Sequence, residues 1–150
     1  MLLHGEFGTL TSNTISQNST VYDPGEGSGY EGGISIEDSE VELVGNVIDD
    51  NLAPFGDGGI EIYGSTVSLW NNLITNNRSD PSEGGGIGFY DNDYIEMVNN
   101  VIADNQSGYC GSGLYFDGNV ATLSHNTIAR NHGGAGVCLE YRTGSENTTR

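Results

Sequence analysis

One short motif, Asn-x-Ile-x-x-Asn, occurs five times in this chain and constrains its fold more than any other feature. Successive copies begin 33, 26, 28 and 26 residues apart. A repeat of this length is typical of a solenoid, in which each repeat forms one coil that stacks on the next, and not of an ordinary globular core. The five copies span residues 13–18, 46–51, 72–77, 100–105 and 126–131.

Two further segments of each repeat alternate apolar and polar residues, which is the period of a β-strand. One follows a glycine-rich turn, as in Ile60-Glu61-Ile62, and the other is exemplified by Val41-Glu42-Leu43. No segment has apolar residues at helical spacing over the length that a helix needs. Each repeat is therefore predicted to hold three short strands and three turns, and no helix.

Three strands in a coil of this length predict an all-β chain folded as a right-handed parallel β-helix, with about five to six coils. Coils stacked at the strand spacing of roughly 4.8 Å place equivalent residues in ladders along the axis. We expect β-helix repeats over residues 1–142 and a polar tail over 143–150. The predicted coils lie near 1–31, 32–57, 58–84, 85–111 and 112–134, with a partial coil at 135–142.

The asparagines of the motif have a structural interpretation. Each stands where a strand ends, and an Asn side chain tolerates tight backbone bends and bonds its neighbours up the stack. Four sites, at Asn18, Asn77, Asn105 and Asn147, fit the N-glycosylation triplet. The first three are ladder positions expected to point inward, so we interpret those triplets as chance. The predicted ladder asparagines are Asn18, Asn51, Asn77, Asn105 and Asn131.

Charge restricts the partners of this chain. The net charge is −17, with four arginines and no lysine, which disfavours nucleic acids and anionic membrane surfaces because both need cationic side chains. No apolar run is long enough for a membrane-spanning helix. Asp104 and Arg130 share a column in adjacent coils, where we expect an exposed ion pair.

The two cysteines and the two ends of the chain leave questions open. Cys110 and Cys138 form a disulfide only if the loop carrying Cys110 folds back over the strand face, so cysteine usage does not settle the compartment. Met1-Leu2-Leu3 does not resemble a signal peptide. Both ends lack an obvious cap, so we expect either a slice of a longer β-helix or a truncated gene product, with flanking coils or oligomer contacts at the uncapped ends.

The Gly-Gly-Ile strands and Asn-x-Ile-x-x-Asn turns, from about Leu3 to Leu139, resemble the repeats of the pectate-lyase-like superfamily. That resemblance implies the β-helix fold and an extracellular or cell-surface location, but it covers lyases, hydrolases, epimerases and proteins with no known reaction. The catalytic sequence motifs of the enzymes in this superfamily are mostly incomplete in this chain. Asp49-Asp50 stands alone, His132-Gly133 lacks a preceding glycine, and the chain has no lysine.

Aromatic and acidic residues gather on the outer face of the first strand. Tyrosine rings beside carboxylates on a rigid sheet suit sugar rings, since the ring stacks on C–H groups and carboxylates accept hydroxyl hydrogens. Asp117 and Glu140 are expected about 5 Å apart and are the candidate catalytic pair. The alternative is that tyrosines simply stabilise the sheet. The candidate ligand-binding residues are Glu37, Glu61, Tyr63, Tyr90, Tyr115 and Asp117.

Acidic residues also occur in the variable turn before each Gly-Gly pair. Asp57, Asp80 and Glu83 are candidate calcium ligands because calcium prefers hard oxygen donors on adjacent loops. No repeat calcium motif is present, and no other cofactor is expected. We predict a non-catalytic, secreted or cell-surface rod that is adhesive or binds carbohydrate. A polysaccharide lyase or glycoside hydrolase acting on an acidic polysaccharide is the alternative.

Overall fold

The computed structural model describes residues 1–21, 32–140 and the strand at 148–149, and all regular secondary structure in them is β. The strands, in chain order, are β1 (Leu2–His4), β2 (Phe7–Thr11), β3 (Thr14–Ser16), β4 (Ile34–Glu37), β5 (Glu40–Val44), β6 (Val47–Asp49), β7 (Leu52–Ala53), β8 (Ile60–Tyr63), β9 (Thr66–Trp70), β10 (Leu73–Thr75), β11 (Arg78–Ser79), β12 (Ile87–Tyr90), β13 (Tyr94–Val98), β14 (Val101–Ala103), β15 (Leu114–Asp117), β16 (Val120–Ser124), β17 (Thr127–Ala129), β18 (Val137–Glu140) and β19 (Thr148–Thr149).

These strands form three long parallel sheets that run along the axis of a solenoid. Sheet one has the order β1-β4-β8-β12-β15-β18, sheet two has β2-β5-β9-β13-β16-β19, and sheet three has β3-β6-β10-β14-β17. A short fourth sheet pairs β7 with β11. Each strand thus pairs with its equivalent one coil away, which confirms the predicted parallel β-helix.

The number of coils is slightly lower than predicted. Sheet one takes four steps from β4 to β18, so residues 32–140 contain about four turns. The expected five to six coils included a first coil whose connection, residues 22–31, lies outside the described residues. They also included a partial coil at 135–142, of which the structure describes the strand β18.

Alternating side chains of the three sheets fill a thin apolar core. Along β5, for example, Val41 and Leu43 are buried while Glu40 and Glu42 face solvent. Phe89 and Phe116 stack inside with ring centroids 4.8 Å apart and planes 8° from parallel. The ladders expected from the sequence are observed in register, since Ile34, Ile60, Ile87 and Leu114 pair directly along sheet one.

Each coil bends at corners where one residue adopts the left-handed conformation. The corner residue directly precedes a ladder asparagine: Asn71 (φ 57°) stands before Asn72, and Asn76 (φ 56°) before Asn77. Asparagine and aspartate tolerate this conformation better than most side chains. The columns at these two corners are Ser12, Gly45, Asn71, Asn99 and His125, and Gln17, Asp50, Asn76, Asp104 and Arg130.

The predicted asparagine ladder is confirmed, and it satisfies backbone groups at the corners. Asn77 Nδ2 donates to the carbonyl of Ile48 at 2.9 Å and to Asn105 Oδ1 at 3.0 Å. The same pattern links Asn18 to Asn51, Asn51 to Asn77, and Asn105 to Asn131. A parallel ladder runs through the first asparagine of each motif copy.

A further ladder at the third corner mixes serine with asparagine. The backbone N–H of Ser39 donates to Ser65 Oγ, and that of Ser65 donates to Asn92 Oδ1. Asn92 then donates to Asn119 Oδ1 at 2.9 Å. Sequence reasoning missed this ladder because serine occupies positions 39 and 65 and asparagine occupies positions 92 and 119, so no single residue type marks it.

The two ends of the described solenoid expose apolar side chains. Leu2 is 65% exposed and Phe7 81% exposed in the first coil, and Leu139 is 53% exposed in β18. Within the segment predicted as a polar tail, Thr148 and Thr149 form β19 and pair with β16. The part of the chain that the structure describes contains no helix able to cross a membrane. Contacts of flanking coils at these ends stay a prediction.

Candidate functional site

The outer face of sheet one carries the tyrosines and carboxylates on which the sequence analysis focused. Backbone pairing places these side chains in two adjacent columns, in the register that the sequence predicted. One column is His4, Glu37, Tyr63, Tyr90, Asp117 and Glu140, and the other is Leu2, Ser35, Glu61, Gly88, Tyr115 and Cys138.

The half of this face that is nearer the chain's start is open to solvent. Tyr63 is 48% exposed and lies between Glu37 and Tyr90 in its column. Glu61, two residues before it on the same strand, is half-buried. Glu37 lies 3.4 Å from His4 Nδ1 and accepts a 3.4 Å hydrogen bond from Ser35 Oγ. The open area therefore offers one accessible aromatic ring between carboxylates.

Asp57 enters the middle of the face from the turn before β8. Its carboxylate is 1% exposed, and Oδ1 accepts a 3.2 Å hydrogen bond from the Tyr90 hydroxyl. The carboxylate occupies the space above Gly88, since a Cβ atom on that glycine would lie 2.2 Å from Asp57 Oδ2. Gly88 thus supplies the gap in its column that Asp57 fills.

This environment disfavours ionisation of Tyr90. Burial raises the pKa of the Tyr90 hydroxyl well above its usual value, and the negative charge of Asp57 together with the hydrogen bond raises it further. Glu61 and Glu83 add smaller contributions of the same sign. Tyr90 is therefore a neutral hydrogen-bond donor that fixes Asp57, and its hydroxyl is already engaged.

A loop covers the other half of the face. Cys110 and Cys138 are joined by a disulfide with Cα atoms 5.8 Å apart, so the loop folds back over the strand, as their pairing requires. Gly111 lies directly on Tyr115, because a Cβ atom on Gly111 would lie 2.6 Å from Tyr115 Cβ. Tyr115 is consequently only 4% exposed.

Carboxylates surround Tyr115 beneath this loop. Burial raises the pKa of its hydroxyl, and a hydrogen bond and charge interaction with Glu140 raise it further. Asp117 pairs in register with Glu140 and is 3% exposed. The two candidate catalytic carboxylates are thus neighbours in sequence-predicted positions, but Asp117 is shielded from solvent. The Tyr115 ring packs against Tyr90 with centroids 5.4 Å apart.

The three candidate calcium ligands have different surroundings. Asp57 is bonded to Tyr90, Asp80 forms an ion pair with Arg78, and Glu83 accepts a 2.9 Å hydrogen bond from Ser82 Oγ. Among the residues that the structure describes, no group of three or more His, Cys, Asp or Glu side chains is arranged to hold a metal ion. Calcium binding at these residues stays a prediction.

Both arginines of the described solenoid are already paired. Arg130 donates to both carboxylate oxygens of Asp104, which confirms the ion pair expected from the sequence. Its guanidinium holds the pKa of the Asp104 carboxyl below the usual value. Arg78 pairs with Asp80 in the turn.

Sequence reasoning did not place Asp57 and Glu83 on this face, because both lie in turns outside the strand register. Gly88 was the available signal for Asp57, since a glycine inside an outward column leaves room for a side chain from elsewhere. Glu83 lies close enough to Tyr90 and Tyr115 to raise the pKa of both hydroxyls.

Comparison with known proteins agrees with this architecture. The family model described as the right-handed beta helix region matches residues 8–150. No curated protein and no solved structure gives a significant match. The match covers nearly the whole chain. The parallel sheets and stacked ladders described above are the features expected of a right-handed beta helix. The chain therefore belongs to the right-handed beta helix family.

Proposed function

We propose that this protein binds carbohydrate without cleaving it, through the open half of the sheet-one face, and acts as a rigid adhesive rod outside the cell. The observation that carries the proposal is the setting of Tyr63. Its ring is 48% exposed on a rigid parallel sheet, in register with Glu37 and next to the column of Glu61. An accessible ring flanked by hydrogen-bond acceptors is a suitable platform for a sugar.

Two further candidate residues flank this platform in the next coils along the same face. Tyr90 is anchored by Asp57, and Tyr115 is packed beneath the Cys110 loop. A platform held by buried contacts needs little reordering when it binds, and low reordering favours affinity. We therefore assign direct ligand contact to Tyr63, Glu37 and Glu61, and a supporting role to Tyr90 and Tyr115.

The extracellular part of the proposal is supported by the disulfide. Disulfides persist in oxidising surroundings such as the periplasm or the outside of the cell. The high negative charge is compatible with neutral or cationic glycans and repels polyanions. Neutral polysaccharides, or glycans bearing amino groups, are therefore the ligands to test first.

A catalytic role is the alternative, and its specific basis is the pairing of Asp117 with Glu140 in register. Asp117 is 3% exposed, so a substrate would reach it only if the covering loop moved. For this reason we favour binding over catalysis.

One experiment separates these functions. The purified protein is applied to a glycan array and, in parallel, to soluble polysaccharides in the presence and absence of calcium, with new reducing ends and unsaturated uronate absorbance as readouts. Binding without new ends supports the proposal. Cleavage contradicts it and directs mutagenesis to Asp117 and Glu140. Absence of both signals contradicts carbohydrate binding altogether.

A further inference from the structure

Three N-glycosylation triplets begin at asparagines of the ladder that runs through the second asparagine of each motif copy. The structure shows why these triplets recur. Residues two positions after each ladder asparagine form an inward column of small side chains. Ser79 pairs in register with Ala53, and the neighbouring bridges extend this column to Thr20, Ser107 and Gly133. The triplet arises wherever that small residue is a serine or threonine.

The ladder amides have no hydrogen available for a glycan. Asn77 Nδ2 uses both hydrogens, on the carbonyl of Ile48 and on Asn105 Oδ1. Asn105 Nδ2 does the same with Ile74 and Asn131. Asn77 is 1% exposed and Asn105 is fully buried. N-glycosylation forms a bond from sugar C1 to Nδ2, breaks the bond from C1 to the pyrophosphate of a lipid-linked donor, and releases one amide proton.

We infer that glycan attachment at Asn77 or Asn105 and folding of the β-helix are mutually exclusive. The attached sugar removes one ladder hydrogen bond and needs space where the core is closed. Transfer to the folded chain is blocked because the amide is buried, and transfer to the unfolded chain blocks folding. The disulfide requires an oxidising compartment. This chain therefore matures where thiols are oxidised but no N-glycan is transferred to the ladder before folding.

Asn18 provides an internal control for this inference. It belongs to the same ladder and the same triplet, yet it lies in the first described coil and is exposed. Asn18 Nδ2 donates to Asn51 Oδ1 and, in an exposed 3.3 Å hydrogen bond, to the carbonyl of Ser16. A glycan would replace only the exposed bond and leave the other hydrogen for Asn51. A glycan at Asn18 should thus be compatible with the fold, whereas one at Asn77 or Asn105 should not.

The triplets can be removed one by one without disturbing the ladder. Ser79 Oγ and Ser107 Oγ are buried and have no hydrogen-bond partner, and alanine already occupies the column at position 53. The substitutions Thr20→Ala, Ser79→Ala and Ser107→Ala therefore remove the acceptor signal while every ladder asparagine stays. Thr149→Ala removes the fourth triplet in all the chains tested.

The test expresses full-length chains that retain a single triplet, or none, through a secretory pathway that transfers N-glycans. Glycopeptide mass spectrometry measures occupancy, and thermal melting with a free-thiol assay measures folding of the secreted product. We expect a folded, glycosylated product from the chain retaining Asn18. For Asn77 or Asn105, glycosylated molecules should be depleted from the folded product by about tenfold or more.

Each outcome decides the question. Molecules with a glycan at Asn77 that stay unfolded, or folded molecules with Asn77 unmodified, both support mutual exclusion. Folded molecules with a glycan at Asn77 or Asn105, an intact disulfide and the melting temperature of the triplet-free chain would overturn it.

Discussion

The Tyr90 hydroxyl donates a hydrogen bond to Asp57 Oδ1 across 3.2 Å, although 33 residues separate them in the chain. This bond joins the turn before one coil to the outer face of the next coil along the axis. It therefore couples a loop to the sheet on which the proposed binding platform stands.

Removing this bond should lower stability. Tyr90→Phe keeps the ring and its packing but takes the donor away from a carboxylate that is 1% exposed. We expect the free energy of unfolding to fall by about 1–3 kcal/mol, because a buried acceptor loses the hydrogen bond from the Tyr90 hydroxyl. Chemical denaturation measures the change. Tyr94→Phe, at a tyrosine that is 40% exposed on sheet two, is the matched control and should have no effect. Equal stability of both variants would contradict the assigned role of Asp57.

The gap at Gly88 should tolerate no side chain while Asp57 is present. A Cβ atom there would lie 2.2 Å from Asp57 Oδ2, so Gly88→Ala should cost about 1–3 kcal/mol through overpacking. In the background of Asp57→Ala the same substitution should cost clearly less, because the opposing atoms are gone. A double-mutant cycle measures this coupling. Additive effects would show that the two residues do not compete for space.

Ladder asparagines should differ in importance according to their position along the axis. Asn77→Ala removes the acceptor of two N–H groups of Asn51 and the donor to Ile48, all in the core. We expect a loss of about 2–4 kcal/mol. Asn18→Ala, in an exposed end coil, should cost less than about 1 kcal/mol. Equal losses at the two positions would be inconsistent with burial as the source of ladder stability.

Alkaline pH should destabilise the fold through Tyr90. Its folded-state pKa lies above the unfolded value of 10.0, so its contribution is fully present below pH 10 and decreases as the pH rises toward the folded-state pKa. In that range, the free energy of unfolding should fall by about 1.4 kcal/mol per pH unit for this one proton. Denaturation across this range, with tyrosinate absorbance as a second readout, measures it. Tyr90→Phe should flatten the slope, and ionisation of Tyr90 near pH 10 in the folded state would contradict the prediction.

Much of the fold could be predicted from the sequence, because a repeat shows directly which residues stack. The register of sheet one and the ladder from Asn18 to Asn131 both follow from counting residues between motif copies. The ladder through Ser39, Ser65, Asn92 and Asn119 could not be found in this way, because two residue types perform the same hydrogen-bonding role.

The candidate site was predictable only where strands build it. The column of Glu37, Tyr63 and Tyr90 follows from strand register, but the positions of Asp57 and the Cys110 loop depend on turns of unequal length. Turn conformation is set by long-range contacts such as the bond to Tyr90, which no local pattern encodes. The sequence therefore indicated the register of the face but could not show that Tyr115 is covered while Tyr63 is open.

The most direct test of the proposed function compares two exposed tyrosines on different sheets. Titration calorimetry with a glycan that binds the unmodified protein on an array gives the dissociation constant for Tyr63→Ala and for Tyr94→Ala. We predict that Tyr63→Ala weakens binding by about tenfold, because a stacked ring contributes on the order of 1 kcal/mol or more. Tyr94→Ala should leave the dissociation constant unchanged. Unchanged affinity for Tyr63→Ala, with both variants folded, would contradict carbohydrate binding by this face.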